Sequence, residues 1–367
     1  LYDDPHTLDT FHATPEDSKL YNDTFSIRAI SFDYVHAYGT QSSGDVAYLY
    51  DDPETVDTFE VAEGYGRLYG ENFHNRAQAF RYVHAHATPG GGDVGRIYDD
   101  AGSQDTFHAW PDQVKLWGDE FFYRALYFNY IHAYATPGDG DVARLYDDPV
   151  TQDTFEAEPH LAKLYGDGFF LRSMSFDYVH AYATPGGSDI AHLYDDPNTN
   201  DTLESHPRDV RLYGDDFLNR AWGFRYTHGH ATKGNNDVAY MYDDPNAADT
   251  LKTWPHQAKL YGDEYLTRAR SFRYVHATAT AGGGDVAHMY DSDGNDTFKA
   301  WPSQAKLYGD GFYSRARLFS RVNAYSTQGG NDVAYLYDSA LETAPDHLEA
   351  SANWAILSND LLGYAYW

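Results

Sequence analysis

Hydrophobic and polar positions alternate in short bursts along the whole chain. Val46-Ala47-Tyr48-Leu49-Tyr50 is typical, with small Ala47 and aliphatic Leu49 on one side and Tyr48 on the other. Period-two alternation over five residues predicts a strand with one face buried. Asp52-Pro53-Glu54-Thr55 is a turn signal, and Asp57-Thr58-Phe59-Glu60-Val61 resumes a strand. Glu63-Gly64 marks another turn, followed by Arg67-Leu68-Tyr69-Gly70. The stretch from Phe73 through Arg76-Ala77, Phe80 and Tyr82-Val83-His84-Ala85 then ends at Pro89-Gly90-Gly91-Gly92. No segment holds a helical period, so the unit is all-β.

That unit recurs every 48 residues. An aliphatic-Tyr pair opens each copy at Leu1, Leu49, Ile97, Leu145, Leu193, Met241, Met289 and Leu336, and only the seventh copy is one residue short, between Asp291 and Asp296. A second Leu lies 19 residues into each copy, at Leu20, Leu68, Leu116, Leu164, Leu212, Leu260 and Leu307. Ala47, Gly95, Ala143 and their equivalents keep one slot small, as a narrow interior requires, and Phe11, Phe59, Phe107 and Phe155 begin an inward ladder. A fixed period over a whole chain means one supersecondary unit stacked on itself.

Two architectures satisfy this pattern. In a parallel β-helix-like β-solenoid, each copy makes two coils, each opened by its Leu-Tyr. In a β-propeller, each copy is one blade of a seven-membered ring. The doubled Leu-Tyr favours the solenoid, because a blade needs no internal half-repeat. Asp346 to Leu357 continues the pattern beyond seven copies, where a closed ring has no place for it. The expected organisation is one solenoid over residues 1–337, followed at 338–367 by a degenerate, truncated eighth copy or the start of a cap.

Composition narrows the partners. The 367 residues carry 56 Asp and Glu against 26 Lys and Arg, a formal charge of −30. Nucleic acid and anionic membrane surfaces are therefore poor partners. No apolar run reaches spanning length, so membrane insertion is not expected. There is no cysteine and hence no disulfide framework. The chain starts without Met and stops inside a copy, which reads as a piece of something longer.

Asp is the most rigidly placed residue. One ladder runs through Asp45, Asp93, Asp141, Asp189, Asp237 and Asp285; a second through Asp51, Asp99, Asp147, Asp195, Asp243 and Asp291; a third through Asp57, Asp105, Asp153, Asp201, Asp249 and Asp296. Stacked like charges repel, so something must offset them. The plainer reading is that these carboxylates accept backbone N–H groups in turns. The sharper reading is calcium bridging between neighbouring turns, since hard oxygen ligands suit that ion.

Gly284-Asp285-Val286-Ala287 and Gly294-Asn295-Asp296-Thr297-Phe298 resemble the Gly-Asn-Asp-Thr elements of calcium-binding bacterial β-roll repeats. The nine-residue Gly-Gly-x-Gly-x-Asp unit of that family is not present in full. The whole 48-residue unit is similar to tandem arrays of very large bacterial secreted or cell-surface proteins. The resemblance implies a location, extracellular or at the cell surface, more than an activity.

Two further ladders read as structural. Arg28, Arg76, Arg124, Arg172, Arg220, Arg268 and Arg315 are each followed by Ala or Ser, and Arg–carboxylate pairs between coils are the expected role. His36, His84, His132, His180, His228 and His276 give way to Asn323 in the seventh copy, which fits a hydrogen-bonding filler; the alternatives are a metal or a switch near pH ~6.5. No nucleophile–base pair, phosphate loop or zinc spacing stands out, and the charged residues recur in every copy, so an enzyme is not expected. The leading expectation is a structural repeat protein, a rigid extracellular fibre or stalk segment that self-associates head to tail along the repeat axis. The alternative is a multivalent adhesin or lectin-like propeller that binds surface glycans.

Overall fold

The computed structural model describes residues 1–367 except 41–43, 186, 234, 281–282, 339–345, 352, 360–363 and 367. The described chain contains strands and turns but no helix, and it forms a β-solenoid. It divides into two compact units, Leu1–Thr184 and Pro185–Trp367. Each unit is built from two facing sheets.

The second copy shows how a unit is wound. Val46–Tyr50 lies in one sheet. The chain then crosses to the other and folds a three-strand antiparallel meander from Thr58–Ala62, Tyr65–Tyr69 and His74–Gln78. Tyr82–His86 returns to the first sheet, parallel to Val46–Tyr50. The third copy repeats this with the sheets exchanged, so that Thr106–Trp110, Gln113–Trp117 and Phe122–Leu126 make their meander in the first sheet. Two copies therefore add a meander and two parallel strands to each sheet, five strands per 96 residues. At ~4.8 Å between strands this is about 24 Å of axial advance.

The expected division of each copy into two coils is corrected by these pairings. Leu68-Tyr69 does not open a coil; it ends the middle strand of the meander and runs antiparallel to both neighbours. The cause is loop length. Only Glu63 and Gly64 separate the first two meander strands, enough to close a hairpin but too few to reach the opposite sheet. The third meander strand leaves its sheet by a sharp corner whose first residue is left-handed in every full copy: Ser31, Ala79, Tyr127, Ser175, Ser271 and Leu318 with φ of 58–64°, and Gly223 at 84°. A hydrogen bond from Ala79 N–H to Gly64 O at 2.7 Å fixes the corner.

The core is the thin layer between sheets. Most strands alternate buried positions with half-buried or exposed ones, and Phe11, Phe59, Phe107, Phe155, Leu49, Leu68 and Ala47 are all fully buried. Cross-sheet hydrogen bonds join Ser18 Oγ to Asn75 Oδ1 at 3.2 Å and Tyr123 OH to Ala62 O at 2.9 Å. The layer is narrow enough that a Cβ on Gly66 would sit 2.7 Å from Val83 Cγ1. Phe80 and its equivalents plug the corners and pack on the Phe ladder, with Phe11–Phe80 at 6.0 Å and Phe59–Phe128 at 5.9 Å. The eighth copy starts the same meander, since His347–Ala350, Ala355–Asn359 and Tyr364–Tyr366 pair antiparallel and join the edge of Arg321–Tyr325. Among the described residues no helix is long and apolar enough to cross a membrane.

Candidate metal centre: an aspartate cluster repeated along the edges

Three aspartates meet wherever the chain crosses from one sheet to the other after its aliphatic-Tyr strand. Asp51 follows Val46–Tyr50, Asp57 precedes Thr58–Ala62, and Asp93 precedes Val94–Tyr98 one copy later. Parallel pairing of Phe59 with Gly95 sets Asp57 beside Asp93. One carboxylate oxygen from each of Asp51, Asp57 and Asp93 lies within 4.8 Å of the others, and the same holds for Asp3/Asp9/Asp45, Asp99/Asp105/Asp141 and Asp195/Asp201/Asp237. Each cluster therefore takes one residue from each of the three ladders. Because meanders alternate between sheets, successive clusters fall on opposite edges of a unit.

Most of the oxygens are already hydrogen-bonded. Asp93 Oδ1 accepts the Asp57 N–H at 2.7 Å, Asp57 Oδ2 accepts the Asp52 N–H at 2.6 Å, and Asp57 Oδ1 accepts the Thr55 hydroxyl at 2.9 Å. Asp51 accepts both the N–H and the hydroxyl of Thr88. The set recurs at Asp105–Asp141, Asp201–Asp237, Asp249–Asp285 and Asp296–Asp332, and Asp153 Oδ2 accepts the Asp148 N–H at 2.7 Å. Turn capping is thus the principal work of these residues, as the plainer sequence reading holds. The threonines were not singled out in the sequence, although Thr88, Thr136, Thr232 and Thr280 recur at multiples of 48 residues and all serve the same carboxylate.

Several clusters hold an oxygen that is left over. Oδ2 of Asp93, Asp141, Asp237 and Asp285 is buried without a hydrogen-bond partner. An ionised carboxylate there is costly. Burial, with neighbouring carboxylates adding to it, pushes Asp93, Asp105 and Asp237 up to about 6 and Asp141 up to about 7. Either a shared proton or a bound cation relieves the cluster. Three carboxylates around an orphaned oxygen fit a hard divalent cation such as calcium, which takes carboxylate, hydroxyl and water oxygens together.

The structural ladders lie on the outer faces, away from these edges. Expected Arg–carboxylate pairing between coils is replaced by something different. Each Arg stands directly opposite a Lys or Arg of its own meander, as in Lys115↔Arg124 and Arg67↔Arg76, and from the second copy on a ladder His stands on the other flank, as in His84↔Arg124. Among the described residues, an acid partner is present where the residue eleven positions earlier is Asp: Arg28–Asp17 at 2.7 Å and Arg220–Asp209 at 2.6 Å. At Arg124 and Arg315 that place is taken by Gln113 and Gln304, each accepting from Nε at 2.9 Å. Partial burial and the adjacent Arg hold His84 and His228 down at about 4 and lower His36, His132 and His276, so these rings are neutral at physiological pH. This agrees with a filler and removes a charge change near pH 6.5.

No family model, no curated protein and no solved structure matches the chain.

Proposed function

We propose that the chain is a non-enzymatic structural segment of an extracellular or cell-surface fibre or stalk, of the tandem-array kind its repeat resembles, and that its copies stack end to end. The observation that carries this reading is the strand pairing that continues both sheets from copy to copy, as where Thr58–Ala62 pairs in parallel with Val94–Tyr98 and Thr106–Trp110 with Val142–Tyr146. Phe32 is 62% exposed, whereas its equivalents Phe80, Phe128 and Phe176 are 4%, 3% and 1% exposed, each covered by the preceding copy's packing. Ile27, Ile30 and Tyr34 are exposed around it, and Ser26–Ile30 and Tyr34–Tyr38 each pair along one side only. At the other end Val333, Tyr335 and Leu348 are 46–65% exposed. Open strand edges beside apolar side chains are what a repeat array covers with a further repeat or a cap. The aspartate clusters would hold calcium in this setting, where millimolar concentrations suit weak extracellular sites.

The glycan-binding alternative asks for free aromatic faces. The outward rings instead stack on one another, with Trp110–Tyr146 at 4.7 Å and 5° and Trp254–Tyr290 at 5.2 Å and 6°. Each ring covers a face of its partner, which weighs against sugar stacking at these pairs. The stalk reading is tested by Phe32→Asp, assayed by sedimentation over a range of concentrations. The parent chain should form end-to-end oligomers that lengthen with concentration, and the variant should not. A parent chain that stays monomeric at all concentrations would overturn the reading.

A further inference from the structure

Charge is segregated over the surface of this acidic chain. In the second unit, one sheet runs from Ile190–Tyr194 through Tyr226–His230, Leu266–Arg270, Gln257–Tyr261, Thr250–Trp254 and Val286–Tyr290 to Arg321–Tyr325. No outward-facing position on these seven strands is Asp or Glu, and five are Lys or Arg. Acids outnumber bases two to one in the chain, so composition does not produce such a face. At its centre Lys252 stands opposite Lys259, and Lys259 opposite Arg268. Like charges paired directly across strands are destabilising. Here they are cushioned only by rings, with Lys252 over Tyr261 at 5.8 Å and Lys259 over Trp254 at 5.7 Å.

The missing carboxylates are at the edges. The turns joining the middle and last meander strands carry exposed acid pairs beside the aspartate clusters, Asp215-Asp216 on one edge of the second unit and Asp263-Glu264 on the opposite edge, with Asp119-Glu120 at the equivalent turn of the first unit. The equivalent meanders two and four copies earlier carry Glu156 and Glu60 where Lys252 stands, so the carboxylate-free row does not recur along this sheet.

We propose that this carboxylate-free face docks the acidic edge of a second copy of the chain, so that copies associate side by side as well as end to end. Long-range repulsion between the two acidic molecules is screened beyond ~8 Å at physiological salt, while the contacting charges still attract. Seven strands at ~4.8 Å and five residues at ~3.3 Å give a face of about 30 Å by 16 Å, or about 500 Å² per partner. That is the size of a weak contact. The proposal does not depend on end-to-end stacking, and its test removes that stacking.

The experiment is sedimentation velocity of the full chain in a Phe32→Asp background, near 0.15 M and near 1 M salt, where the Debye length falls to ~3 Å. The expected result is a mass that rises with concentration at the lower salt and collapses to monomer at the higher. Lys252→Glu with Lys259→Glu should abolish the association, and so should Lys substitutions at Asp215, Asp216, Asp263 and Glu264. Mixing the two charge-reversed proteins should restore it. Both variants should keep the parent's circular dichroism and melting, since Lys252 and Lys259 face outward and Asp215, Asp216, Asp263 and Glu264 lie in exposed turns. Association unchanged by either reversal, or no association at either salt, would overturn the proposal. Retention on heparin that requires Lys252 and Lys259, without self-association, would also overturn it and assign the face to a soluble polyanion.

Discussion

Asp141→Asn isolates what one buried carboxylate costs. Asparagine keeps an acceptor for the Asp105 N–H, bound at 2.7 Å, and puts an N–H₂ donor where Oδ2 now has no partner. Burial, with Asp99, Asp105 and Asp177 nearby, raises Asp141 from 3.8 to about 7. In a dry site that displacement corresponds to roughly 4 kcal/mol. The cluster sits in edge turns that water approaches, so about half, ~2 kcal/mol, is a better expectation. The sign follows from proton linkage. The folded chain holds this proton to higher pH than the unfolded chain does, so its contribution is complete below about pH 4 and is lost as pH rises through 7. Asp141→Asn should therefore be near neutral at about pH 4 and stabilising by ~2 kcal/mol near pH 8, both with chelator present. Histidines held down at about 4, such as His84 and His228, act in the opposite direction, losing their contribution as pH falls from 6.5 towards 4. They are common to both proteins and cancel in the comparison. Urea unfolding at the two pH values is the assay. Equal destabilisation at both would refute the reasoning, because it would mean an ordinary turn carboxylate whose loss simply removes a cap.

Other consequences follow from the same geometry. Millimolar calcium should raise the unfolding midpoint of the parent chain near pH 8 and do little near pH 5, with a smaller gain in Asp141→Asn; a calorimetric titration with no heat at pH 8 would leave the clusters as proton-sharing caps. Ala79→Gly should stabilise by about 1 kcal/mol in urea unfolding, because Ala79 holds φ of 60° at a corner where another copy already uses Gly223. Gly66→Ala should cost about 1–3 kcal/mol, since its methyl would meet Val83 at 2.7 Å in the narrow core. The imidazole of His84 should titrate near 4 by NMR, and a midpoint near 6.5 would contradict its half-buried place beside Arg124.

The two-faced strand was legible because its signal is local. Free Tyr48 beside fixed Leu49 states which side faces in, and the structure places both accordingly. Winding was not legible. Glu63-Gly64 reads as a turn whether it closes a hairpin or feeds a crossing, so Leu68-Tyr69 looked like the start of a coil. The left-handed corner was hidden for a related reason: Ser, Ala, Tyr and Leu occupy it where glycine would have announced it. The aspartate ladders were visible as a pattern, but their grouping was not. Asp93 joins Asp57 across 36 residues, an offset set by parallel pairing of strands from successive copies and absent from the 48-residue period. The Arg ladder misled because Arg invites a carboxylate partner, while Gln113 and Gln304 serve the same place.

The axial repeat of the assembled chain, measured by cryo-electron microscopy or fibre diffraction, tests the central claim most directly. Alternating meanders predict an advance of about 24 Å for every two copies, with a ~4.8 Å strand spacing along the same axis. Two coils in every copy would instead give about 19 Å for two copies, and discrete seven-fold rings without an axial repeat would contradict the solenoid itself.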